Sequence, residues 1–409
     1  MTWPVVPLSK ALEHAEVFVD GDWVESKDQD PNGDVRLIQL ADIGDGEYVD
    51  KSSRFLTSAK AKALKCTYLK PGDVLVARMP DPLGRACIYP GDQRPAVTVV
   101  DVCIIRPNGG GPDSRYLMHC LNAAKRRHQI GGFATGTTRS RISRSNLAKI
   151  EIPLPPLPEQ QRIADILNKA DGLRAKRRAT LAQLDTLKQS IFLNMFGDPR
   201  KNEKGWPTST IESVVSDVRG GAALEPEDFV EQGCPILHKG AIKPGGRIAI
   251  DSRKKTFTTW AYASANSRCF ADRDFVAVTL RDLVPTGPTI GLAADLRKGP
   301  FDKYLLAQGA YAFKPDPKAL TAEYFVQLSN MPNFRHLLRQ NAVGSTQIHI
   351  RTPVYMAIRI PIPPVRTQRE FSLCLATTEA IETRQRETLT EFDFLMASLQ
   401  MRAFGESFS

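Results

Sequence analysis

Side chains that suit DNA recognition are concentrated in one glycine-rich segment, residues 131–144. The segment places Arg139, Arg141 and Arg144 among hydroxyl residues such as Thr138. Arginine and threonine side chains contact base edges and phosphates, and glycines let a backbone approach its partner closely. The segment is therefore a candidate nucleic-acid contact. The alternative is an ordinary polar loop that closes a helix onto a strand.

A second segment has the same frame with different donors. Gly344 and Thr346 keep the Gly-x-Thr pattern, and they are followed by Gln347, His349 and Arg351. Glutamine and arginine form hydrogen bonds with base edges of different donor and acceptor pattern. One frame with two donor sets predicts two reading surfaces with different targets.

A basic helix end supplies another candidate contact. Lys125, Arg127 and His128 lie together, and an equivalent Arg-His pair occurs at Arg335 and His336. The shared pair favours a common role, either a phosphate contact or a structural pair against a carboxylate.

Arginines that follow central strands form a third group. Arg78 follows a β-branched run, and Arg281 occupies the roughly equivalent place later in the chain. Loops at strand ends on a rigid scaffold often carry recognition residues, so we predict that both arginines contact DNA.

Motifs for bond chemistry are missing from the sequence. It has no phosphate-binding G-x-x-x-x-G-K-[ST] loop, no N-P-P-[YF] motif of amino-methyltransferases, and no histidine spacing typical of a metal site. The 7 cysteines include no C-x-x-C pair and are interpreted as buried, reduced residues. We therefore expect a non-enzymatic chain that binds no metal or cofactor. The alternatives are a self-sufficient methyltransferase or nuclease with an unfamiliar active site, or a protein-binding structural adaptor.

Composition favours a polyanionic partner. The formal net charge is +10, with an isoelectric point near 9.2. Lysine and arginine gain affinity for nucleic acid through counterion release. The sequence has no run of apolar residues long enough to span a membrane and no typical secretory signal, so we expect a cytoplasmic protein.

The sequence repeats itself. A shift of 208 residues aligns the segment 107–197 with 315–405 without a gap, and about a quarter of the positions are identical. Examples are the proline-rich blocks 150–156 and 358–364. A repeat of this length predicts a duplicated domain rather than a solenoid of short units.

Each copy has the same predicted order of elements. A β-rich lobe with short strands comes first, with one helix near residues 114–129 or 321–340. A proline-rich hinge follows at Pro153–Pro158 or Pro361–Pro364, because proline disfavours both helix and central strand.

A long helix completes each copy. Apolar residues in the first one alternate at three- and four-residue intervals, as at Ile163, Ile166, Ala170 and Leu173, which is typical of a coiled-coil seam. About 35 residues would span about 50 Å, close to 15 base pairs of DNA. Two such helices packed together would separate two half-sites by a fixed, unread gap.

The predicted fold class is α+β. It comprises two tandem β-rich mixed α/β recognition domains whose helices pack as an antiparallel coiled coil with pseudo-twofold symmetry. The predicted bounds are 1–152 for the first lobe, 153–198 for the hinge and central spacer helix, 199–360 for the second lobe, and 361–409 for the second hinge and helix.

The block from Ile152 to Leu167, I-P-L-P-P-L-P-E-Q-Q-R-I-A-D-I-L, resembles the specificity subunits of type I restriction-modification systems. The duplicated order of lobe and helix strengthens this resemblance over the whole chain. It implies that each lobe reads half of a bipartite double-stranded DNA target. Two methyltransferase subunits would modify adenine with bound S-adenosylmethionine, and up to two restriction subunits would use ATP and Mg²⁺.

The resemblance also implies where the partner subunits bind. The hinge and helix residues Glu159, Gln160, Ile163 and Leu167 would contact them. The second copy departs from the pattern, because the Pro-Glu-Gln-Gln sequence of the first becomes Arg-Thr-Gln-Arg. The equivalent partner contacts there are Gln368 and Phe371.

Overall fold

A computed structural model describes residues 3–136, 140–250 and 256–404. The chain divides into two compact units. Unit 1 takes its described residues from Met1–Arg178 and Glu387–Ser409, and unit 2 consists of Ala179–Arg386. Each unit therefore contains one β-rich lobe and parts of both long helices.

The first lobe is built from short elements. They are β1 (Val5–Pro7), α1 (Leu8–Ala11), β2 (Val17–Asp20), β3 (Val35–Ile38), β4 (Phe55–Leu56), α2 (Ser58–Ala63), β5 (Val74–Ala77), β6 (Ala86–Ile88), β7 (Ala96–Thr98), β8 (Val102–Arg106), α3 (Ser114–Asn122), α4 (Ala124–Gly132), α5 (Arg144–Leu147) and β9 (Glu151–Pro153). The long helix α6 (Leu157–Phe196) follows.

Two sheets organise this lobe. An antiparallel sheet has the order β2-β8-β5-β6, and a smaller sheet has the order β4-β3-β7, in which β3 and β7 are parallel. Strand β5 is buried on both faces: Val74 and Val76 join one hydrophobic cluster, while Leu75 and Ala77 join another. This alternation follows from the two-residue period of a strand. The strands β1 and β9 pair and bring the two ends of the lobe together.

The second lobe has a similar succession. Its elements are β10 (Thr208–Thr210), β11 (Val215–Gly220), β12 (Cys234–Leu237), β13 (Ile242–Lys243), β14 (Arg247–Ile248), β15 (Phe257–Thr258), α7 (Trp260–Ala265), β16 (Phe270–Asp272), β17 (Val276–Thr279), β18 (Arg281–Asp282), β19 (Ala293–Asp295), β20 (Lys303–Leu306), β21 (Ala310–Pro315), α8 (Ala322–Asn330), α9 (Pro332–Gln340), β22 (Ile348–His349), α10 (Thr352–Met356) and β23 (Arg359–Pro361). The helix α11 (Val365–Phe404) follows.

The sheets of the second lobe match those of the first. The order β11-β21-β17-β19 corresponds to β2-β8-β5-β6, and the order β15-β12-β20 corresponds to β4-β3-β7, with β12 and β20 parallel. The central strand β17 again serves two clusters, because Val276 and Val278 face one and Ala277 the other. The strands β10 and β23 close the lobe as β1 and β9 close the first. The mixed helix-and-sheet class predicted from the sequence is confirmed.

Both long helices contribute to the hydrophobic cores. In unit 1, Ile163 and Leu167 of α6 share a cluster with Met396 and Phe404 of α11. In unit 2, Phe192 and Phe196 of α6 pack with Phe371 of α11, and the rings of Phe196 and Phe371 lie 5.2 Å apart. The two helices thus supply aromatic and aliphatic side chains to each lobe.

Two local predictions were wrong. The single helix expected near residues 114–129 is the pair α3 and α4, separated by the extended residue Ala123 with ψ 145°. Its counterpart is the pair α8 and α9, separated at Met331. Met331 precedes Pro332, and a residue before proline disfavours the helical conformation.

The start of α6 and the exposure of some of its apolar residues also differ from the prediction. Helix α6 starts at Leu157 and has 40 residues, so Pro158 lies in its first turn, where the missing N–H costs little. The expected seam residues Ile166 and Leu173 are 37% and 46% exposed. The seam residues Ile163 and Ala170 are buried as predicted, on a face that also includes Gln160 and Leu167. The physical reason is that α6 packs against its own lobe.

None of the helices in these described residues is both long and apolar enough to span a membrane. The prediction that all the cysteines are buried was wrong for two of them. Cys374 on α11 is exposed and Cys66 is half-buried, whereas the other five are buried.

Candidate nucleic-acid interface

A buried tyrosine fixes the end of each lobe. The hydroxyl of Tyr116 donates to the carbonyl oxygen of Pro153 over 2.8 Å, and the hydroxyl of Tyr324 donates to that of Pro361 over 2.9 Å. Both phenols are fully buried, and burial raises the pKa of each tyrosine. The two lobes therefore share one internal hydrogen-bond frame.

A buried glutamine at each hinge also forms equivalent hydrogen bonds with the backbone in the two copies. Gln160 Oε1 accepts from the backbone N–H of Asp113, the N-cap residue of α3, over 2.9 Å. Its Nε2 donates to the Pro155 carbonyl over 2.8 Å. Gln368 forms the equivalent bonds with Thr321 N–H and the Pro363 carbonyl, each over 2.8 Å. This glutamine explains why one residue of the Pro-Glu-Gln-Gln block persists in both copies.

These contacts correct the predicted partner-binding set. Gln160 and Gln368 are bonded inside the units, and Ile163, Leu167 and Phe371 are at most 5% exposed within the cores. Of the six predicted residues, Glu159 retains the most solvent access, and it binds Arg162 in the next helical turn over 2.7 Å. The motif therefore has a structural role in joining lobe to helix.

Each lobe carries the predicted glycine-containing segment as a hairpin. Bridges between Thr135 and Arg141, and between Val343 and His349, close the two turns at equivalent positions. The glycine after the first residue of each bridge has positive φ, 100° at Gly136 and 116° at Gly344. A Cβ at Gly344 would lie 2.0 Å from a backbone oxygen, so this turn requires glycine.

The second-lobe hairpin joins several predicted contacts. Strand β18 pairs with β22 so that Arg281 lies opposite His349, and Arg281 Nη2 donates to Gln347 Oε1 over 2.8 Å. Arg281, His349 and Arg351 line a cavity of about 470 Å³, together with Gln308. Thr346 is exposed at the tip. The structure therefore brings Arg281, Gln347, His349 and Arg351 onto one surface.

The corresponding surface of the first lobe is partly neutralised. Arg141 forms an ion pair with Asp101 over 3.1 Å. The exposed Arg144 begins α5, and its Nη1 donates to the carbonyl oxygen of Phe18 over 3.2 Å. The predicted contacts Thr138 and Arg139 lie outside the described residues.

Arg78 has a structural role rather than the predicted DNA contact. It is 3% exposed, donates to the carbonyl of Val100 over 2.6 Å, and lies 3.3 Å from Asp20. Burial lowers its pKa, which Asp20 partly offsets. The error arose from register, because Arg78 corresponds to the buried Leu280. The true counterpart of Arg281 is Met79, one residue later and on the other strand face.

The shared Arg-His pair is also mainly structural. Arg127 donates to the Leu83 carbonyl over 3.0 Å and to Asp45 over 2.6 Å, and Arg335 donates to the Ile290 carbonyl over 3.1 Å. Burial lowers the pKa of both arginines. Each arginine thus joins its helix to the loop after the central strand.

The remaining members of that basic group have solvent access. Lys125 and His128 are exposed on α4, and His336 is exposed on α9. Their positions are compatible with the predicted phosphate contacts, which stay a prediction.

Two residues of the second-lobe surface were missed by the sequence analysis. Gln308 lines the cavity, and Lys239 begins the short 3-10 turn after β12. Burial lowers the pKa of Lys239, and the positive charge of Arg281 lowers it further. Both residues follow or precede strand ends, which is the signal that could have identified them.

Comparisons with known proteins agree with this geometry. The family described as "Type I restriction modification DNA specificity domain" matches residues 13–184. Residues 13–184 belong to that family. The MjaVIII type I restriction enzyme specificity subunit of Methanocaldococcus jannaschii is 25% identical over 268 residues, 62% of this chain and 61% of the relative. The EcoKI specificity subunit of Escherichia coli is 23% identical over 313 residues, 71% of this chain and 65% of the relative. The alignments thus span less than two thirds of either relative.

Solved specificity subunits have a similar fold. The type I S subunit from M. genitalium has a TM-score of 0.55 at 14% identity, covering 99% of this chain and 96% of that one. A chain from a study of complex assembly in a type I restriction-modification system has a TM-score of 0.51 at 17% identity, covering 99% and 98%. The family match confirms the recognition made from the sequence, and the likeness in fold extends over both copies of the repeat.

Proposed function

We propose that this chain is the DNA-reading specificity subunit of a type I restriction-modification complex. Each lobe would read one half of a bipartite target and direct adenine methylation and restriction by partner subunits. The observation that carries the proposal is the duplicated hairpin: Gly136 and Gly344 keep one frame while Arg141 and His349 supply different donors. A conserved scaffold with two donor sets suits a protein that reads two different half-sites.

We further propose that the long helices fix the gap between the half-sites. The support comes from contacts within each unit. Arg174 of α6 pairs with Asp393 of α11 over 2.6 Å in unit 1, and Lys188 pairs with Glu382 over 2.6 Å in unit 2. Within unit 2, Lys188 meets Glu382 and Phe196 meets Phe371, so residue numbers rise on α6 as they fall on α11, as in an antiparallel pair. At 1.5 Å per residue, 40 residues extend about 60 Å. The domain bounds 1–152, 153–198, 199–360 and 361–409 belong to this proposal.

Chemistry is assigned to the partners. Two methyltransferase subunits would hold S-adenosylmethionine, and restriction subunits, where present, would bind ATP and Mg²⁺. In this proposal the chain itself contributes binding and positioning, and no bond is made or broken by its side chains.

The helices display a repeated apolar surface that suits two copies of one partner. In unit 1, Leu173 and Leu395 are 46% and 49% exposed, and their equivalents in unit 2, Ile381 and Leu187, are 45% and 47% exposed. Apolar residues kept exposed at equivalent positions in both copies are typical of contact sites. We therefore place one methyltransferase subunit on each unit. Replacing Leu173 and Leu395 by aspartate should leave one bound methyltransferase instead of two, as measured by native mass spectrometry.

The test of the proposed function is co-expression with the methyltransferase encoded beside this chain, followed by long-read mapping of modified adenines. A single split motif with two defined halves and a fixed undefined gap is expected. Unmodified DNA, from a complex shown to assemble and bind S-adenosylmethionine, would contradict the proposal and favour a protein-binding adaptor. A chain that alone binds S-adenosylmethionine or cleaves DNA would favour a self-sufficient enzyme.

A further inference from the structure

A two-stranded ribbon in the second lobe presents polar side chains on one face. Strands β18 and β22 are antiparallel, and Arg281 lies directly opposite His349. Opposite residues in such a pair project from the same face, and the diagonal neighbour Gln347 is within reach. The bond of 2.8 Å from Arg281 Nη2 to Gln347 Oε1 shows that these side chains meet. The other face carries Asp282 and the buried Ile348.

The hydrogen bond between Arg281 and Gln347 decides what the pair offers a ligand. A free glutamine side chain has one acceptor and two donors, and it suits the acceptor and donor of adenine. Here Oε1 accepts from Arg281, which leaves it one lone pair, while both N–H groups of the Gln347 amide stay available to a ligand. Arg281 has five N–H donors and no acceptor, and one of them is used by Gln347. Donors therefore greatly outnumber acceptors on the pair.

The carboxylate beside this face is already bonded elsewhere. Asp282 lies on the opposite face of the ribbon, and its Oδ2 accepts from both the backbone N–H and the hydroxyl of Thr289, each over 2.6 Å. Within the described parts of the chain, Arg281 forms no ion pair, while Lys239 and Arg351 add positive charge nearby. Such a positively charged cluster favours the binding of a negatively charged partner that is rich in hydrogen-bond acceptors.

We propose that Arg281 and Gln347 together read the guanine of a G·C pair in the half-site bound by the second lobe. This inference rests on the proposed function. A two-stranded ribbon fits the major groove, where guanine presents two acceptors, N7 and O6, side by side. Adenine and cytosine each present an amino donor, which a guanidinium repels, and thymine presents a single acceptor. Guanine is the base whose edge best matches a surface on which donors predominate.

The first lobe supplies the matched substitution. Met79 occupies the position equivalent to Arg281, and a methionine side chain lacks hydrogen-bond donors. Arg281→Met therefore introduces a side chain that the same fold already accommodates. Arg273 provides the control, because it lies before β17, at the opposite end of that strand from Arg281. Its exposed guanidinium forms a surface ion pair with Asp302 over 2.7 Å.

The experiment maps adenine methylation by the co-expressed complex carrying the wild-type chain, Arg281→Met or Arg273→Met. With Arg281→Met we expect one G·C position in one half-site to lose its preference by about tenfold or more, while the other half-site and the gap stay unchanged. Arg273→Met should leave the whole motif unchanged. An unchanged motif with Arg281→Met, or relaxation at an A·T position, would overturn the inference.

Failure of the inference is distinguishable from failure of the proposed function. If the wild-type complex yields no split motif, the proposed function itself fails. If Arg281→Met abolishes modification, the assembled complex is tested for competition binding to duplexes that carry each base pair at every defined position. Discrimination for G·C equal to that of the wild-type complex would then refute the role of Arg281, and a selective loss at one G·C position would support it.

Discussion

The two lobes keep the same internal contacts but differ at their hairpins. Tyr116 and Tyr324 bind equivalent prolyl carbonyls, with bond lengths that differ by 0.1 Å, 2.8 Å and 2.9 Å. At the hairpins, by contrast, Arg141 is paired with Asp101, whereas Arg281 is bound to the neutral Gln347. Duplication has thus preserved the buried polar contacts, whose loss is costly, and allowed the exposed donors to diverge.

The largest expected effect tests a difference in the helices. Lys188 and Glu382 form a buried ion pair in unit 2, while Met396 occupies the place of Lys188 in unit 1. Burial alone would raise the pKa of Glu382, but the bonds from Lys188 and Arg386 hold it below its ordinary value. Lys188→Met should lower the free energy of unfolding by about 3 kcal/mol, because it removes one partner of a buried charge.

Urea denaturation measures this loss, and the double variant Lys188→Met with Glu382→Met is its control. The double variant should recover most of the stability, because two apolar side chains replace both charges. A single variant as stable as the wild type would contradict the burial of the pair.

The next effect tests whether the frame is equivalent in the two lobes. Gln160→Leu and Gln368→Leu should each lower the free energy of unfolding by about 2 kcal/mol, because each leaves a backbone N–H and a prolyl carbonyl without partners. Glutamate at either position should also lower the free energy of unfolding, since its carboxylate has no N–H to donate to the prolyl carbonyl. Chemical denaturation followed by circular dichroism measures both losses. A large loss in one lobe and none in the other would break the equivalence.

A smaller effect separates structural arginines from reading arginines. Arg78→Met should cost about 1.5 kcal/mol, because the carbonyl of Val100 and the carboxylate of Asp20 lose a buried partner. Arg281→Met should change stability by less than about 0.5 kcal/mol, since its side chain is at the surface. Thermal unfolding of both variants gives the comparison. Equal losses would mean that the register assigned to the two strands is wrong.

The smallest effect concerns a histidine found in only one lobe. His119 is buried beside Asn168 and Asp171, and Gln327 occupies its place in the second lobe. Burial lowers the pKa of His119, although Asn168 and Asp171 oppose this and Arg115 adds to it. The unfolded chain then binds more protons below about pH 6.5, so this contribution to stability is present above that pH and is lost as the pH falls.

His119→Gln should therefore reduce the fall in Tm between pH 7.5 and pH 5.5. Differential scanning calorimetry of the wild-type and variant chains measures it, and Gln327→Ala gives the control in the second lobe. A wild-type chain whose Tm falls no more than that of His119→Gln would contradict the assignment.

The sequence allowed the fold class, the duplication and the hairpin donors to be predicted, because these depend on local pattern and on internal similarity. Strand β5 coincides with the β-branched run that ends before Arg78. The apolar stripe of α6 was predicted in part, because Ile163 and Ala170 are buried while Leu173 is exposed. An amphipathic pattern cannot tell whether a helix packs on its lobe or on another helix. Exposed leucines such as Leu173 therefore looked like a seam.

The candidate site was harder to predict than the fold. Arg78 and Arg281 look alike in sequence, but a register difference of one residue buries the first and leaves the second partly exposed. Lys239 was missed because it comes from a distant turn, and the effect of Arg281 on its pKa depends on tertiary folding. Identifying such clusters requires the positions of strands that are far apart in the sequence.

The contribution of α11 to unit 1 has a consequence for synthesis. Met396 and Phe404 complete a core whose other members come from residues before 179, with about 200 residues of unit 2 between them. At 5–20 residues per second, the ribosome needs about 10–40 s to make that intervening chain. During this interval the nascent first lobe exposes apolar surface that Met396 and Phe404 later cover. The lobe that is translated first is therefore completed last.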